Sequence, residues 1–258
     1  MSIVYGPVPS WRLGRSLGVD PVSTEKKSCN FNCIYCQLGQ TRLPTRERKV
    51  FVKPEELARE LKNVGEVDLD YITFSGVAEP TLAANLSELV EVVRAVLPGR
   101  PLAILTNSAF IPREDVHRDL ALFDTVVAKM DAPDEELFRK INHPVVRVSL
   151  AEIVEGIRIF RQSFRGKLAL QMMFISANKE RAWEMAEIAR KLSPDEIQLN
   201  TPLRPSPVPP LSPEEMEEIE AAFSGLPILN VYKAERPKVL PLDEEDTKRR
   251  RPVRKIGR

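Results

Sequence analysis

An α/β fold built on a mostly parallel sheet is what this 258-residue chain predicts, on three observations. Short apolar runs, many of them β-branched, recur along it as expected of parallel strands covered on both faces. Segments with apolar residues at helical spacing fall between those runs, so strand and helix alternate as in repeated βαβ units. The composition, 43% hydrophobic and 29% charged, is that of a globular chain long enough to bury a sizeable core.

The first candidate strand is Leu17–Val22. Pro54 then stands where a first helical turn tolerates proline, and Tyr71–Ser75 is the second strand. Leu86, Leu89, Val90, Val93 and Leu97 mark one face of a helix over Leu86–Leu97. Strand Leu102–Asn107 follows, then a helix opened near Pro112, then strand Thr125–Met130. Ser149 and Glu152 form a capping-box pattern ahead of a helix whose apolar face is Leu150, Ile153, Val154, Ile157 and Phe160. Leu168–Ile175 is the fifth strand. A helix over Lys179–Leu192 ends at Ser193-Pro194, and Glu196–Asn200 is the sixth strand. Such units close into either an open doubly wound sheet or a partial (β/α) barrel, and periodicity does not separate the two.

Composition changes near Thr201. Five prolines between Thr201 and Pro210 predict an extended connection. Ser212-Pro213-Glu214-Glu215 reads as a helix start, and Ile228–Tyr232 as a short strand. Lys248–Arg258 holds seven basic residues and no acid. We therefore expect a core over 1–205 and a C-terminal appendage over 206–258.

Charge is balanced, with 38 Lys and Arg against 37 acids, which makes no case for a polyanionic partner. No leader pattern opens the chain and no run approaches ~18 apolar residues, so a cytoplasmic protein without membrane association is expected. Trp11 and Trp183 read as packing groups.

The three cysteines all lie between positions 29 and 36. An odd number packed so tightly is a poor disulfide framework and points to metal or redox chemistry. Cys29-x-x-x-Cys33-x-x-Cys36 follows the first strand in a polar loop, a spacing that can set three thiolates on three irons of a cubane. A structural zinc site ordinarily takes four protein ligands, and the two histidines, His117 and His143, lie far along the chain. From spacing alone, a zinc site borrowing a distant ligand, a Cys33–Cys36 redox pair and three unconnected thiols all stay open.

Cys29-Asn30-Phe31-Asn32-Cys33-Ile34-Tyr35-Cys36, with Tyr35 directly before the last cysteine, resembles the signature of the radical S-adenosylmethionine (SAM) superfamily. The resemblance implies a [4Fe–4S] cluster on Cys29, Cys33 and Cys36. Its fourth iron would chelate the amino and carboxylate groups of SAM, and one electron would cleave SAM to a 5′-deoxyadenosyl radical that abstracts hydrogen. It also implies a partial (β/α)6 TIM-like barrel and a reductant such as flavodoxin or ferredoxin. Ser75-Gly76-Val77-Ala78-Glu79-Pro80 is similar to the family's Gly-Gly-Glu-Pro region, whose carbonyls receive the SAM ammonium. Ser75, Gly76, Val77 and Glu79 become cofactor-binding candidates, although Val77 and Ala78 stand where a second glycine is common.

Ligands of such sheets bind outside the carboxyl ends of the strands. That brings in Asn107 and Asp131 as partners for the SAM ribose, and Lys129 as a counter-charge for the SAM carboxylate or a substrate anion. Gln198 and Asn200 are candidates for contact with the adenosyl group or substrate. The N-terminal run from Tyr5 to Asp20, with Cys36-Gln37-Leu38-Gly39, resembles a prokaryotic subgroup placed with the wyosine tRNA-base synthetases. Wyosine-forming enzymes of archaea carry further cysteines for a second cluster, and this chain has none. The resemblance leaves a tRNA base, or a protein or peptide, as substrate. A non-catalytic iron–sulfur electron carrier is the remaining alternative. Arg12 and Arg15 are candidate anion-binding groups, and Arg42, Arg46, Arg48, Lys49 and Lys53 candidate phosphate contacts.

Overall fold

The computed structural model describes residues 2–250, so Arg251, Arg254, Lys255 and Arg258 of the basic tail lie outside the described residues. Eight strands make the main sheet: β1 (Val4–Ser10), β2 (Gly14–Val19), β5 (Tyr71–Phe74), β6 (Leu102–Thr106), β7 (Thr125–Lys129), β8 (Lys167–Met173), β9 (Glu196–Asn200) and β10 (Ile228–Asn230), in that spatial order. The strands from β2 onward run parallel, and β1 is antiparallel to β2 at one edge. The sheet curls into a half-barrel, the architecture expected from the resemblance. Two short segments, β3 (Ser28–Cys29) and β4 (Leu43–Pro44), pair beside it.

All six strands expected from sequence belong to this sheet. The edge strand β1 is an addition. Gly6, Pro7 and Pro9 interrupt its apolar pattern, and an edge strand tolerates the donors that proline removes. At the other edge β10 pairs with β9 in parallel, so the short strand after the proline-rich stretch extends the same sheet.

Helices α1 (Pro54–Lys62), α2 (Leu86–Val96), α3 (Glu114–Leu120), α4 (Glu135–Asn142), α5 (Leu150–Ser163), α6 (Ala182–Leu192), α7 (Pro213–Ala222) and α8 (Glu244–Arg250) complete the described chain. The capping boxes read from sequence form: Ser149 Oγ accepts from Glu152 N–H at 3.2 Å while Glu152 Oε2 accepts from Ser149 N–H at 2.8 Å. Ser212 and Glu215 do the same ahead of α7. Pro112 lies just before the cap of α3 rather than within its first turn. Trp183, expected to pack, is 62% exposed on α6.

Side chains alternate between the two faces of each strand. On the outer face Leu17, Ile72, Ile104, Val126, Leu168, Ile197 and Leu199 are fully buried, in one core with Leu89 and Val93 of α2, Ile157 of α5 and Met185 of α6. Each such side chain contributes about 1.5–3 kcal/mol. The inner face departs from the expectation of doubly apolar strands. Ser16, Tyr71, Thr73, Thr125, Lys129, Lys167, Gln171, Glu196 and Gln198 share it by register. Ser16 Oγ and Thr73 Oγ1 are 2.6 Å apart, and Tyr71 OH reaches across β6 to Thr125 Oγ1 at 3.3 Å, a span that suits a concave surface. Ala103, Val127 and Ala169 are buried there yet stand outside the helix-packed core. A closed barrel fills its centre with bulky branched side chains; this half-barrel has a polar lumen.

Candidate active site at the mouth of the half-barrel

The cysteine loop follows β2 and is fastened to α4. Asn32 N–H donates to Asn142 O at 3.0 Å and Ile34 N–H to Ile141 O at 2.9 Å. Phe31, buried, meets Phe138 edge to face with centroids 5.4 Å apart. The loop is thus held by backbone bonds and an aromatic pair, which fixes where its thiols point.

Amide donors converge on two of the sulfurs. Phe31 N–H lies 3.4 Å from Cys29 Sγ, Asn107 Nδ2 3.5 Å from Cys29 Sγ, and Asn142 Nδ2 3.5 Å from Cys33 Sγ. Asn107 Nδ2 also donates to Asn30 Oδ1 at 2.5 Å, at the end of β6. Burial pushes the Cys29 thiol up to about 12, with the Glu79 carboxylate adding to it. Burial raises Cys33 as well, opposed by the Lys129 ammonium. Burial thus disfavours the thiolate at either position.

Asp131, just beyond β7, is 2% exposed and organises the mouth. Its carboxylate accepts from Tyr35 OH, from Asn142 Nδ2 at 2.7 Å and from Met173 N–H at 2.9 Å. Lys129 Nζ stands 3.8 Å from it and 4.7 Å from the Tyr35 ring centroid. Burial, with the nearby Asp131 charge, holds the Tyr35 phenol well above its usual range. The ribose contact expected of Asp131 meets a carboxylate already engaged with the cysteine loop and β8. Asn142 links Asp131 to Cys33.

Glu79 is likewise buried and engaged. Oε1 accepts from Thr106 Oγ1 and Thr81 Oγ1, both at 2.7 Å, and Oε2 accepts from Asn107 N–H at 2.8 Å. Burial raises its carboxyl group above the ordinary range, and those bonds work in the opposite direction. Its own N–H donates to Ser28 O at 3.2 Å, so the segment after β5 is tied to the cysteine loop.

Ser75 Oγ is 2.8 Å from Tyr5 OH. A Cβ on Gly76 would lie 2.1 Å from Asp20 Cγ, so the glycine is required by close approach of a carboxylate. Asp20, at the end of β2, accepts from Val77 N–H at 3.0 Å and pairs with Arg250 of α8 at 2.5 Å, both side chains 1% exposed. The Arg250 guanidinium also lies over the Tyr5 ring at 4.7 Å. Two routes therefore connect the C-terminal helix to Ser75–Val77.

Cys29, Cys33, Cys36, Tyr35, Ser75, Gly76, Val77, Glu79, Asn107, Lys129 and Asp131 thus gather at one end of the half-barrel. Gln198 faces the lumen, whereas Asn200 Oδ1 accepts from Thr201 N–H at 3.0 Å. Arg15 lies at the opposite end, paired with Asp68 and Asp70. Arg48 is buried against Asp115, Asp119 and two carbonyls, which removes it from the phosphate-contact candidates. Asn30, Asn142 and Asp20 carry no role in the sequence reading, and Arg250 enters it only as part of the basic tail; its burial against Asp20 takes it out of phosphate contact. Asn30 sits inside the cysteine motif and Asn142 at a helix end, whereas Asp20 and Arg250 are brought together only by the fold.

Among the described residues no three His, Cys, Asp or Glu side chains gather closely enough to hold a single metal ion. A cubane takes each thiolate on a different iron, so its ligands stand farther apart than the donors of one ion. The amide donors on Cys29 and Cys33 are acceptor-seeking groups that suit metal-bound thiolates, and the residues present fit such a cluster.

A model of the radical SAM superfamily matches residues 27–192, and the chain belongs to that superfamily. Superfamily members bind a [4Fe–4S] cluster and SAM, and this chain is a radical SAM enzyme. Within the superfamily it is similar to UPF0026 proteins. It is 39% identical over 226 residues to one from Methanocaldococcus jannaschii, covering 85% of this chain and 69% of that one. With another, from Synechocystis sp., the identity is 37% over 211 residues, covering 80% and 77%. Its fold matches that of Streptococcus suis SuiB bound to S-adenosylmethionine, with a TM-score of 0.65 at 13% identity. The match covers 84% of this chain and half of that one. No helix among the described residues is long and apolar enough to cross a membrane.

Proposed function

We propose that Cys29, Cys33 and Cys36 hold a single cluster at the mouth of the half-barrel, and that the polar lumen beneath it receives the substrate. The observation that carries the reading is the convergence of Asn107, Asn142 and Phe31 N–H on two cysteine sulfurs at the strands' carboxyl ends. When bound, the cluster and SAM supply one-electron cleavage of SAM and a 5′-deoxyadenosyl radical that takes a hydrogen atom from substrate. The chain's own residues orient and enclose. Asp131 holds Tyr35 and Asn142, and through them the loop. Glu79 joins that loop to Ser75–Val77, whose backbone would receive the SAM ammonium. Lys129, at the lumen's rim, balances a carboxylate.

A nucleobase of an RNA is the substrate we favour. Arg42, Arg46, Lys49 and Lys53 are exposed along the segment after the cysteine loop, a basic strip suited to phosphate. Anaerobic reconstitution with iron and sulfide tests the cluster: we expect a full cubane per chain, with a paramagnetic signal of the reduced form that shifts on adding SAM. A signal indifferent to SAM would contradict the reading. Bulk tRNA should bind with a steep salt dependence that flattens in an Arg42→Ala/Arg46→Ala/Lys49→Ala variant; equal slopes would discard the RNA substrate.

A further inference from the structure

The lumen carries two side-chain amides with hydrogen-bonding capacity that neither the cysteine loop nor the Ser75–Glu79 segment uses. Gln171 on β8 and Gln198 on β9 are register partners, so they leave adjacent strands about 5 Å apart on the inner face. Gln198 is 1% exposed. Its Nε2 donates to Glu196 Oε1 at 2.8 Å, and Glu196 is held in turn by Lys167 Nζ at 2.7 Å. A carboxylate accepts and does not donate, so this contact fixes which end of the Gln198 amide is nitrogen. The consequence is a buried acceptor, Gln198 Oε1, with no hydrogen-bond partner. Gln171 Nε2, a donor, is buried without a partner as well. A buried polar atom left unpaired is costly, and native chains keep few of them. Here an unpaired donor and an unpaired acceptor belong to register partners on neighbouring strands of the lumen.

We propose that Gln171 and Gln198 together read a cis-amide edge of the substrate, a carbonyl and an N–H presented side by side. The substrate carbonyl accepts from Gln171 Nε2, and the substrate N–H donates to Gln198 Oε1. A trans peptide group does not serve both, because its C=O and N–H point to opposite sides of the chain. Two sources do present that edge: the lactam of a nucleobase-type heterocycle, and a primary carboxamide. Lys167 and Glu196 act as positioning residues, since they hold the Gln198 amide in the orientation that exposes its oxygen. This inference rests on the reading of the lumen as the substrate chamber and deepens it to a chemical class.

Equilibrium binding to the reconstituted, SAM-bound, unreduced protein tests it without any SAM cleavage. A failure of radical chemistry and a failure of recognition are therefore separable. One arm compares guanosine and uridine with 1-methylguanosine and 3-methyluridine, which keep the ring and lose the N–H. The other compares propionamide with N,N-dimethylpropionamide. In the arm that matches the true source, the parent should bind at least about tenfold more tightly than its methylated analogue, equivalent to about 1.4 kcal/mol. Gln198→Met and Gln171→Met should each abolish that discrimination while iron content and SAM binding stay at wild-type levels. Equal binding of parent and methylated compounds in both arms, or no binding in either, would overturn the proposal. So would full discrimination in both variants.

Discussion

Asp131→Ala should cost the protein its iron as well as its SAM. The Asp131 side chain is inaccessible to solvent, and its carboxylate accepts from Tyr35 OH, Asn142 Nδ2 and Met173 N–H. Truncation strands three buried donors at about 1–3 kcal/mol each, so even the lower end removes about 3 kcal/mol from a stability of about 5–15 kcal/mol. Two of the three donors belong to groups that hold the cysteine loop: Tyr35 lies within it, and Asn142 approaches Cys33 Sγ at 3.5 Å. The assay is threefold: denaturant midpoint, iron and sulfide per chain after reconstitution, and SAM titration. Iron content and SAM binding should fall together, with Asp131→Asn intermediate because it keeps an acceptor for Met173 N–H. Full iron, a stability within about 0.5 kcal/mol of wild type and lost SAM binding would refute this reasoning and return Asp131 to direct contact with SAM.

Arg250→Met leaves the Asp20 carboxylate buried without its ion pair, which should destabilise the fold by about 3–5 kcal/mol and weaken SAM binding through Val77; a midpoint shift below about 1 kcal/mol would contradict it. Gly76→Ala sets a methyl group against Asp20, so SAM affinity should drop at least about tenfold with iron retained, as titration of the reconstituted variant would show. Asp70 is held down to about 2 by its bonds to Arg15, from an ordinary value of 3.8. Its unfolded form binds the proton first as pH falls, so the stabilisation is present above about 4 and is lost as pH drops toward 2. Acid titration of Asp70→Asn should show a shallower stability loss across that window than wild type, and parallel curves would exclude the linkage.

How much of this was legible in the sequence depends on how local each feature is. Parallel strands and amphipathic helices declare themselves over ten or so residues, and Ser149–Glu152 and Ser212–Glu215 cap their helices as their spacing foretells. β1 was hidden because Pro7 and Pro9 break its pattern, and only the pairing with β2 makes it a strand. The polar lumen was hidden by brevity. In a five-residue strand such as β9, Glu196 and Gln198 look like ends of an apolar run until register aligns Gln198 with Gln171. The cysteine motif could be read because the three cysteines lie within eight residues. The roles of Asp131 and Glu79 as internal anchors could not, because their partners lie up to 96 positions away, and Asp20 meets Arg250 across 230.

The most direct test of the account is reduction of the reconstituted protein with dithionite in the presence of SAM, with 5′-deoxyadenosine measured over time. We expect it to form in the wild-type protein and to vanish in Cys29→Ala, Cys33→Ala and Cys36→Ala, with loss of iron in each. An intact cluster that leaves SAM uncleaved, with bulk tRNA and with cell extract alike, would contradict the claim that this half-barrel is built for radical chemistry.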